Sequence, residues 1–415
     1  MKYKFFNYFG SDRPFFRSFM VLFSGNATAQ AISIISLPFL TRLYSPEQFG
    51  VLALVISISM MLAILLTLRY EVSLVLADYD ELKSIIKLIS ICIVSLIPLA
   101  VGCIYLYGFF SNEIEGNITN IVLLSIALAY LSVSNYLLTK FKMFSILSTS
   151  RVIQAVFTIL FQFILFDLSI GEGLIYGYLL GIGVSLSYIL IMSGIRLENV
   201  ENNNIRSLAV KYIKFPMFNA PQAFLNSMAS SAVLFFIGIS FGPSFVGFYS
   251  LGVRIIQTPM SLISKSISSL TLSELSNAKF DNYEKSKLLE KRTFQLFFIC
   301  IAFGFFAYLL IPFAFSFVFS NDWLPAVSYS QYLLFWFLAV FLATPSMSAI
   351  QVFGLQKYFL VYELVLVLFR LLLIYLFYVG DYSADLFVMC FSILGAVFNL
   401  ILVFWVHVRI RQLEI

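Results

Sequence analysis

The chain has 415 residues, of which 61% are hydrophobic and only 11% are charged, and its formal net charge is +5. A soluble domain of this length could not cover so much apolar surface, so the composition excludes a water-soluble globular protein. The basic residues form no patch typical of nucleic-acid binding, and we expect no nucleic-acid partner.

The elements predicted in chain order are transmembrane helices. A hydrocarbon core of about 30 Å requires about 20 apolar residues per helix, and on this scale the sequence predicts twelve spans. The first is too long for a signal-peptide core and has no small-residue cleavage site, so we interpret it as a retained helix. The approximate cores are 18–43, 48–76, 84–110, 118–140, 149–168, 172–196, 211–241, 244–273, 293–320, 323–350, 357–379 and 384–408.

The distribution of Lys and Arg predicts the orientation of these helices. Among the 26 basic residues, only Arg42 lies in a loop assigned to the outer side. Four lie inside apolar spans, and the others, Arg151 included, lie on the loops and termini of the opposite side. The positive-inside rule therefore places both termini in the cytoplasm. We expect a polytopic protein of a bacterial inner membrane.

The first hairpins of the two halves share a pattern. Three positions after the first helix recur after the seventh at one offset: Pro46, Gly50 and Leu54 match Pro243, Gly247 and Leu251. Six helices return the chain to its starting side, so the two halves have the same orientation. The predicted fold is all-α, with six-helix lobes at 1–205 and 206–415 related by a pseudo-two-fold axis along the membrane normal.

Charged residues inside the spans are the first candidates for function. Each costs roughly 2.5–3.5 kcal/mol on insertion scales, so such residues usually face a cavity or a partner. The set contains more cations than anions, which predicts an interior that attracts phosphate or another acidic group. The alternatives are snorkelling near the cytoplasmic ends and a structural Glu363–Arg370 pair. The residues are Arg69, Glu71, Arg254, Lys265, Glu363 and Arg370.

Two helices carry polar faces at helical spacing. Such a face is either a wall that contacts sugar hydroxyls or a site of interhelical hydrogen bonding, and both interpretations remain open. The residues are Asn26, Gln30 and Ser33 on the first helix and Asn219, Gln222, Asn226 and Ser230 on the seventh.

The sequence carries no pattern typical of an enzyme. The single histidine, His407, lies at the cytoplasmic end of the last helix. There is no phosphate-cradling glycine loop, metal-ligand cluster or Ser/His/Asp set. We therefore expect no catalytic residue, no metal and no cofactor.

Three segments, 40–50, 68–74 and 247–259, resemble the polysaccharide-repeat flippases of the O-antigen (Wzx) type. These flippases belong to the multidrug/oligosaccharidyl-lipid/polysaccharide exporter superfamily. The resemblance implies two six-helix lobes around a central, partly cationic cavity. It also implies that transport proceeds by alternating access. It implies a polyprenyl-diphosphate-linked oligosaccharide as substrate, loaded at the cytoplasmic leaflet and released at the periplasmic one.

We therefore expect a flippase for O-antigen or other surface polysaccharide assembly. Its expected partners are the lipid-linked oligosaccharide, membrane lipids, a polysaccharide polymerase and a chain-length regulator. The candidate diphosphate-binding residues are Arg254, Arg69, Lys265 and Arg370. The candidate sugar-contacting wall is Asn26, Gln30, Asn219, Gln222 and Asn226, and the candidate coupling-ion residues are Glu71 and Glu363.

Three alternatives remain open at this stage. An ion-coupled multidrug exporter of the same superfamily would be expected to have an acidic interior, because its substrates are often cationic. A flippase for the peptidoglycan precursor has similar physics but usually carries more than twelve helices. A non-transporting scaffold of a polysaccharide assembly complex would leave the charges inside the spans without a purpose.

Overall fold

The computed structural model describes residues 13–108, 116–195, 204–276, 281–380 and 382–412. These residues form helices and contain no β-strand. Twelve of the helices have between 21 and 37 residues. They are α1 (Arg13–Leu43), α2 (Pro46–Thr67), α3 (Leu82–Gly108), α4 (Ile118–Lys140), α5 (Phe144–Asp167), α6 (Gly173–Ser193), α7 (Ala220–Phe241), α8 (Pro243–Leu275), α9 (Asn282–Val318), α10 (Ala326–Val352), α11 (Gln356–Val379) and α12 (Ala384–Gln412).

Eleven of these helices are long and apolar enough to cross a membrane. The twelfth, α8, has 33 residues and therefore sufficient length. Its composition is more polar, because it contains Arg254, Lys265 and a series of serines. The predicted all-α, twelve-helix fold is confirmed within the described residues.

Several predicted boundaries are wrong, and α7, for example, begins at Ala220 rather than at 211. Helix α2 ends at Thr67 rather than near residue 76, because the next two residues adopt left-handed backbone and a 3₁₀ helix, Tyr70–Val75, follows. Helix α9 begins at Asn282 rather than at 293. Asp281 caps it by accepting a hydrogen bond from the backbone N–H of Glu284, at 2.7 Å, in a capping box.

A further corrected boundary is the start of α5, which lies at Phe144 rather than at 149. The chain turns at Lys142, whose φ is +55°, and continues directly into the helix. As a result, Arg151 lies inside the helix and not in the cytoplasmic loop.

The chain divides into two compact units. The first comprises Met1–Tyr44 and Val51–Phe235, and the second comprises Ser45–Gly50 and Phe236–Ile415. This division passes through α7. The predicted lobes, 1–205 and 206–415, stay a prediction, because they were defined by the sequence repeat and not by compactness.

In the first unit, glycines hold α5 and α6 close together. Gly177 and Gly181 lie one turn apart on α6, and a Cβ atom at either would overlap α5, at Gln162 and Thr158 respectively. Small residues of this kind allow transmembrane helices to approach closely. At the same end of α5, the Tyr44 hydroxyl donates to the Gln162 carbonyl oxygen at 2.6 Å.

In the second unit, α10 packs against α8, α9 and α12, whereas α11 is largely exposed. Just before α10, Trp323 is fully buried. Its ring lies 5.0 Å from Phe49 and 6.2 Å from Phe248, both edge-on. These aromatic contacts form the core at one end of the unit.

The repeated turns contact each other inside the second unit, to which Ser45–Gly50 also belongs. Helices α2 and α8 both begin with proline, Pro46 and Pro243, in the first turn, where the missing N–H has no cost. A Cβ atom on Gly50 would overlap the carbonyl oxygen of Pro243, and one on Gly247 would overlap that of Pro46. This reciprocal contact explains why proline and glycine recur together in the two halves.

Candidate functional site

Helix α8 has a buried apolar face and an exposed cationic face. Leu251 and Ile256 are buried, whereas Arg254 and Lys265 are exposed. Eleven residues correspond to about three helical turns, so the two cations share one face. Exposed cations are strongly unfavourable against hydrocarbon, so this face is suited to water, headgroups or an anionic ligand.

The polar residues of α7 are also exposed. They begin at Asn219, the last residue of a π-helical turn, Phe215–Asn219, and continue with Gln222 and Asn226 on α7. Within the described residues, the amides of these three side chains make no hydrogen bond to another helix. Interhelical bonding by these three amides is therefore not seen in the described part of the chain, and their contact with sugar hydroxyls stays a prediction.

The polar face of α1 behaves differently. The side-chain oxygen of Asn26 accepts a hydrogen bond from the Arg151 guanidinium of α5. Gln30, one turn further along α1, has a buried side-chain oxygen with no partner among the described residues. Interhelical bonding therefore accounts for Asn26 but not for Gln30.

Arg151 is a cation within the spans that the sequence interpretation had placed in a loop. It lies seven residues beyond Phe144, or about 10 Å along the axis of α5. It is half-buried, and among the described residues no carboxylate lies within 4.0 Å of it. A cation in a span costs roughly 2.5–3.5 kcal/mol, whereas an interhelical hydrogen bond returns about 0.6 kcal/mol. The sequence did carry a signal for this position. The stretch that forms the helix begins at Phe144, so the span includes Arg151.

Arg69 and Glu71 lie in the turn after α2, not inside the helix as predicted. Leu68 and Arg69 have φ values of +48° and +59°, a left-handed conformation that side chains other than glycine rarely adopt. The guanidinium of Arg69 lies 3.4 Å from the carboxylate of Glu71, which is only 1% exposed. The positive charge of Arg69 is thus already compensated by a buried carboxylate.

Arg370 does not form the ion pair with Glu363 that the sequence left open. Within the described residues, no carboxylate lies within 4.0 Å of its guanidinium. Instead the guanidinium lies 5.4 Å from the ring centre of Trp336 and 5.0 Å from that of Phe391. Aromatic faces attract cations, so the rings replace the expected carboxylate.

The described residues contain no group of three or more His, Cys, Asp or Glu side chains that could hold a metal ion. The candidate residues in each unit are cations and amides carried by helices. Groups of this kind can form hydrogen bonds with anions or hydroxyls.

Residues 39–328 match the family described as "Polysaccharide biosynthesis protein". The chain belongs to this family. No curated protein matches the sequence. The family assignment agrees with the resemblance found in the sequence, which rested on segments inside the matched range.

Solved structures with a similar fold are transporters and a flippase. The lipid II flippase MurJ, in an inward closed conformation, is 17% identical, with a TM-score of 0.70 over 93% of this chain and 87% of that chain. A MATE-family multidrug resistance transporter in an inward-facing conformation is 16% identical, with a TM-score of 0.60 over 94% and 95%.

A MOP superfamily transporter from Pyrococcus furiosus, whose binding pocket of reversed polarity suggests a different function, is 16% identical. Its TM-score is 0.58, and the match covers 96% of this chain and 95% of that chain. At these identities the similarity shows the fold alone. This polysaccharide biosynthesis protein is thus a membrane protein whose twelve-helix fold is similar to that of MOP superfamily transporters.

Proposed function

We propose that this polysaccharide biosynthesis protein is a flippase for polyprenyl-diphosphate-linked oligosaccharide. It moves the glycan from the cytoplasmic to the periplasmic leaflet of a bacterial inner membrane by alternating access, for assembly of O-antigen or another surface polysaccharide. The observation that carries the proposal is the exposed cationic face of α8, with Arg254 and Lys265 in register. The family assignment supports the class of substrate.

The physical argument starts from the diphosphate, which cannot cross hydrocarbon without compensation of its charge. Guanidinium groups bind phosphate oxygens through two parallel hydrogen bonds. The exposed amides of Asn219, Gln222 and Asn226 can donate to and accept from sugar hydroxyls. The polyprenyl tail stays in lipid throughout, so it needs no compensating contacts from the protein.

An ion-coupled multidrug exporter is the second candidate, because MATE-family structures share the fold. A cationic drug would require unpaired carboxylates. Glu71 is already paired with Arg69, which leaves Glu363 as the single uncompensated acid of the candidate set. The charge balance therefore favours an anionic substrate. The coupling ion, proton or sodium, would act at Glu71 or Glu363 in either case.

The test is a flipping assay in proteoliposomes that contain a polyprenyl-diphosphate oligosaccharide, read as accessibility of the glycan to an external lectin. We expect protein-dependent accessibility, reduced about tenfold or more in Arg254→Ala, because a hydrogen bond to a charged group contributes roughly 1.5–3 kcal/mol. Arg411→Ala is the matched control, since Arg411 is exposed and ion-paired with Glu290.

Two outcomes would contradict the proposal in different ways. No accessibility with several glycans, in folded protein, would disprove the flippase function. Normal flipping by Arg254→Ala would remove Arg254 from the site and leave the function intact.

A further inference from the structure

The seam between α1 and α5 is closely packed at one point. Gly25 faces Ser148, and a Cβ atom on Gly25 would overlap the serine side chain. The Ser148 hydroxyl also donates to the carbonyl oxygen of Val21 at 2.8 Å. The helices are thus held together without any contribution from a charge. One turn beyond Ser148, Arg151 adds a guanidinium to the same seam.

The charge of Arg151 has no structural explanation at this position. Its one hydrogen-bond partner among the described residues is the neutral amide of Asn26. A single amide does not offset the cost of a cation within a membrane span. Four of the five N–H donors of a guanidinium remain for another ligand.

A second polar group lies one helical turn from Asn26 on α1. Gln30 follows Asn26 by one helical turn, and its side-chain oxygen is buried without a partner in the described part of the chain. Buried polar atoms normally have a hydrogen-bond partner, and exceptions need an explanation such as a functional role. Arg151 and Asn26, together with Gln30 one turn further along α1, therefore form a polar cluster in the first unit, defined by helical spacing, with unused hydrogen-bonding capacity.

We infer that this cluster is an oxyanion-binding subsite for the transported lipid-linked glycan, which rests on the proposed flippase function. Arg151 binds the oxyanion, Asn26 positions the guanidinium, and Gln30 contacts a neighbouring hydroxyl or oxygen. The ligand chemistry is a phosphate or a carboxylate, supplied either by the diphosphate of the carrier or by an acidic sugar. Arg151, Asn26 and Gln30 all belong to the first unit, and Arg254 and Lys265 belong to the second.

The experiment measures binding to the full-length protein in detergent by native mass spectrometry, without any need for transport. The probes are farnesyl diphosphate, an alkyl glucuronide and the matching neutral alkyl glucoside. The variants are Arg151→Gln, Arg151→Lys and Asn26→Ala, with Arg411→Gln as a control that makes the same chemical change at an exposed ion pair.

We expect Arg151→Gln to weaken binding of an anionic probe about tenfold or more. Arg151→Lys should retain part of the affinity, because lysine keeps the charge but loses the planar fork. Asn26→Ala should lie between the two, and neutral glucoside binding should not change. A loss confined to farnesyl diphosphate assigns the diphosphate as ligand, and a loss confined to the glucuronide assigns an acidic sugar.

Unchanged affinity of Arg151→Gln for every anionic probe would overturn the inference, as would a lower melting temperature without a change in affinity. Displacement of the probes by an equal concentration of phosphatidylglycerol would assign the cluster to membrane lipid and also overturn it. A protein that binds through Arg151 but flips no glycan would contradict the proposed function and not the subsite.

Discussion

At the scale of single residues, the candidate cations differ in how the protein compensates their charge. Arg69 has a buried carboxylate partner, Glu71, at 3.4 Å. Arg370 lies against two aromatic rings. Arg151 has a single amide, Asn26. An anionic ligand gains most from a cation whose charge is least compensated, which ranks Arg151 above Arg69 as a ligand contact.

The reciprocal glycine contact gives a prediction at the same scale. In Gly50→Ala, the new Cβ atom would meet the backbone carbonyl oxygen of Pro243, which cannot move without shifting the first turn of α8. Overpacking of this kind typically costs about 1–3 kcal/mol. We expect a clearly lower melting temperature in detergent, measured by differential scanning fluorimetry.

Gly183→Ala is the matched control, because a Cβ atom at Gly183 on α6 meets nothing within 4 Å. Replacing glycine by alanine inside a helix removes backbone entropy from the unfolded chain, so this control should be neutral or slightly stabilising. Equal melting temperatures for Gly50→Ala and Gly183→Ala would show that the contact at Gly50 is not close.

At the scale of secondary-structure elements, the short helix Ile205–Lys211 connects the two halves of the sequence and is anchored in the first unit. Lys211 lies 2.5 Å from one carboxylate oxygen of Glu81, and the Tyr212 hydroxyl donates to the other oxygen at 2.7 Å. The Tyr70 hydroxyl donates to the carbonyl oxygen of Ala209 at 3.2 Å. These contacts fix the segment that leads into α7.

The ion pair between Lys211 and Glu81, which we call the anchor, has its charge state set by the same contacts. The hydrogen bond to Glu81 raises the pKa of Lys211 above its ordinary value. A raised lysine pKa stabilises the folded state at every pH below the ordinary value, and this contribution is lost as pH rises through the raised value. The anchor should therefore persist at neutral pH and weaken only in strongly alkaline solution.

Glu81→Gln should release the anchor while leaving the twelve helices intact. It removes the ion pair and weakens the bond from Tyr212, so amides of residues 205–212 should exchange with solvent several-fold faster at neutral pH. Hydrogen–deuterium exchange with mass spectrometry measures this directly. Glu274→Gln, which breaks the Arg292 ion pair elsewhere, should leave that segment unchanged. Unaltered exchange in Glu81→Gln would mean that Tyr70 alone holds the helix.

At the scale of the whole molecule, the charge asymmetry predicts the topology in the membrane. With the four native cysteines replaced, Glu47→Cys should be labelled in intact cells by a membrane-impermeant maleimide, because the positive-inside rule places it outside. Lys357→Cys should be labelled only after permeabilisation. Both positions are exposed, so differences in labelling report the side of the membrane.

The reverse labelling pattern would invert the orientation and with it the proposed direction of transport. Labelling of both positions in intact cells would mean that an even number of spans lies between them, instead of the nine expected from α2 to α10. The reverse pattern would leave the fold unchanged, since the fold depends on helix packing and not on which side faces the cytoplasm.

The sequence by itself determined that the chain forms twelve helices, since apolar length and turn-forming residues are local properties. It also predicted the proline–glycine repeat and the exposed cations of α8, because helical spacing places residues on one face without knowledge of neighbours. Its errors at α2 and α9 came from a left-handed turn and a capping box, which hydropathy does not detect.

Only the tertiary structure decided which side chains meet across helices. The contacts of Arg151 with Asn26, of Arg370 with Trp336, and of Gly50 with Pro243 join residues far apart in the chain. Helical periodicity shows which face a residue occupies but not which helix packs against that face. The compensation of each buried charge, and thus the choice among candidate ligand contacts, follows from that packing.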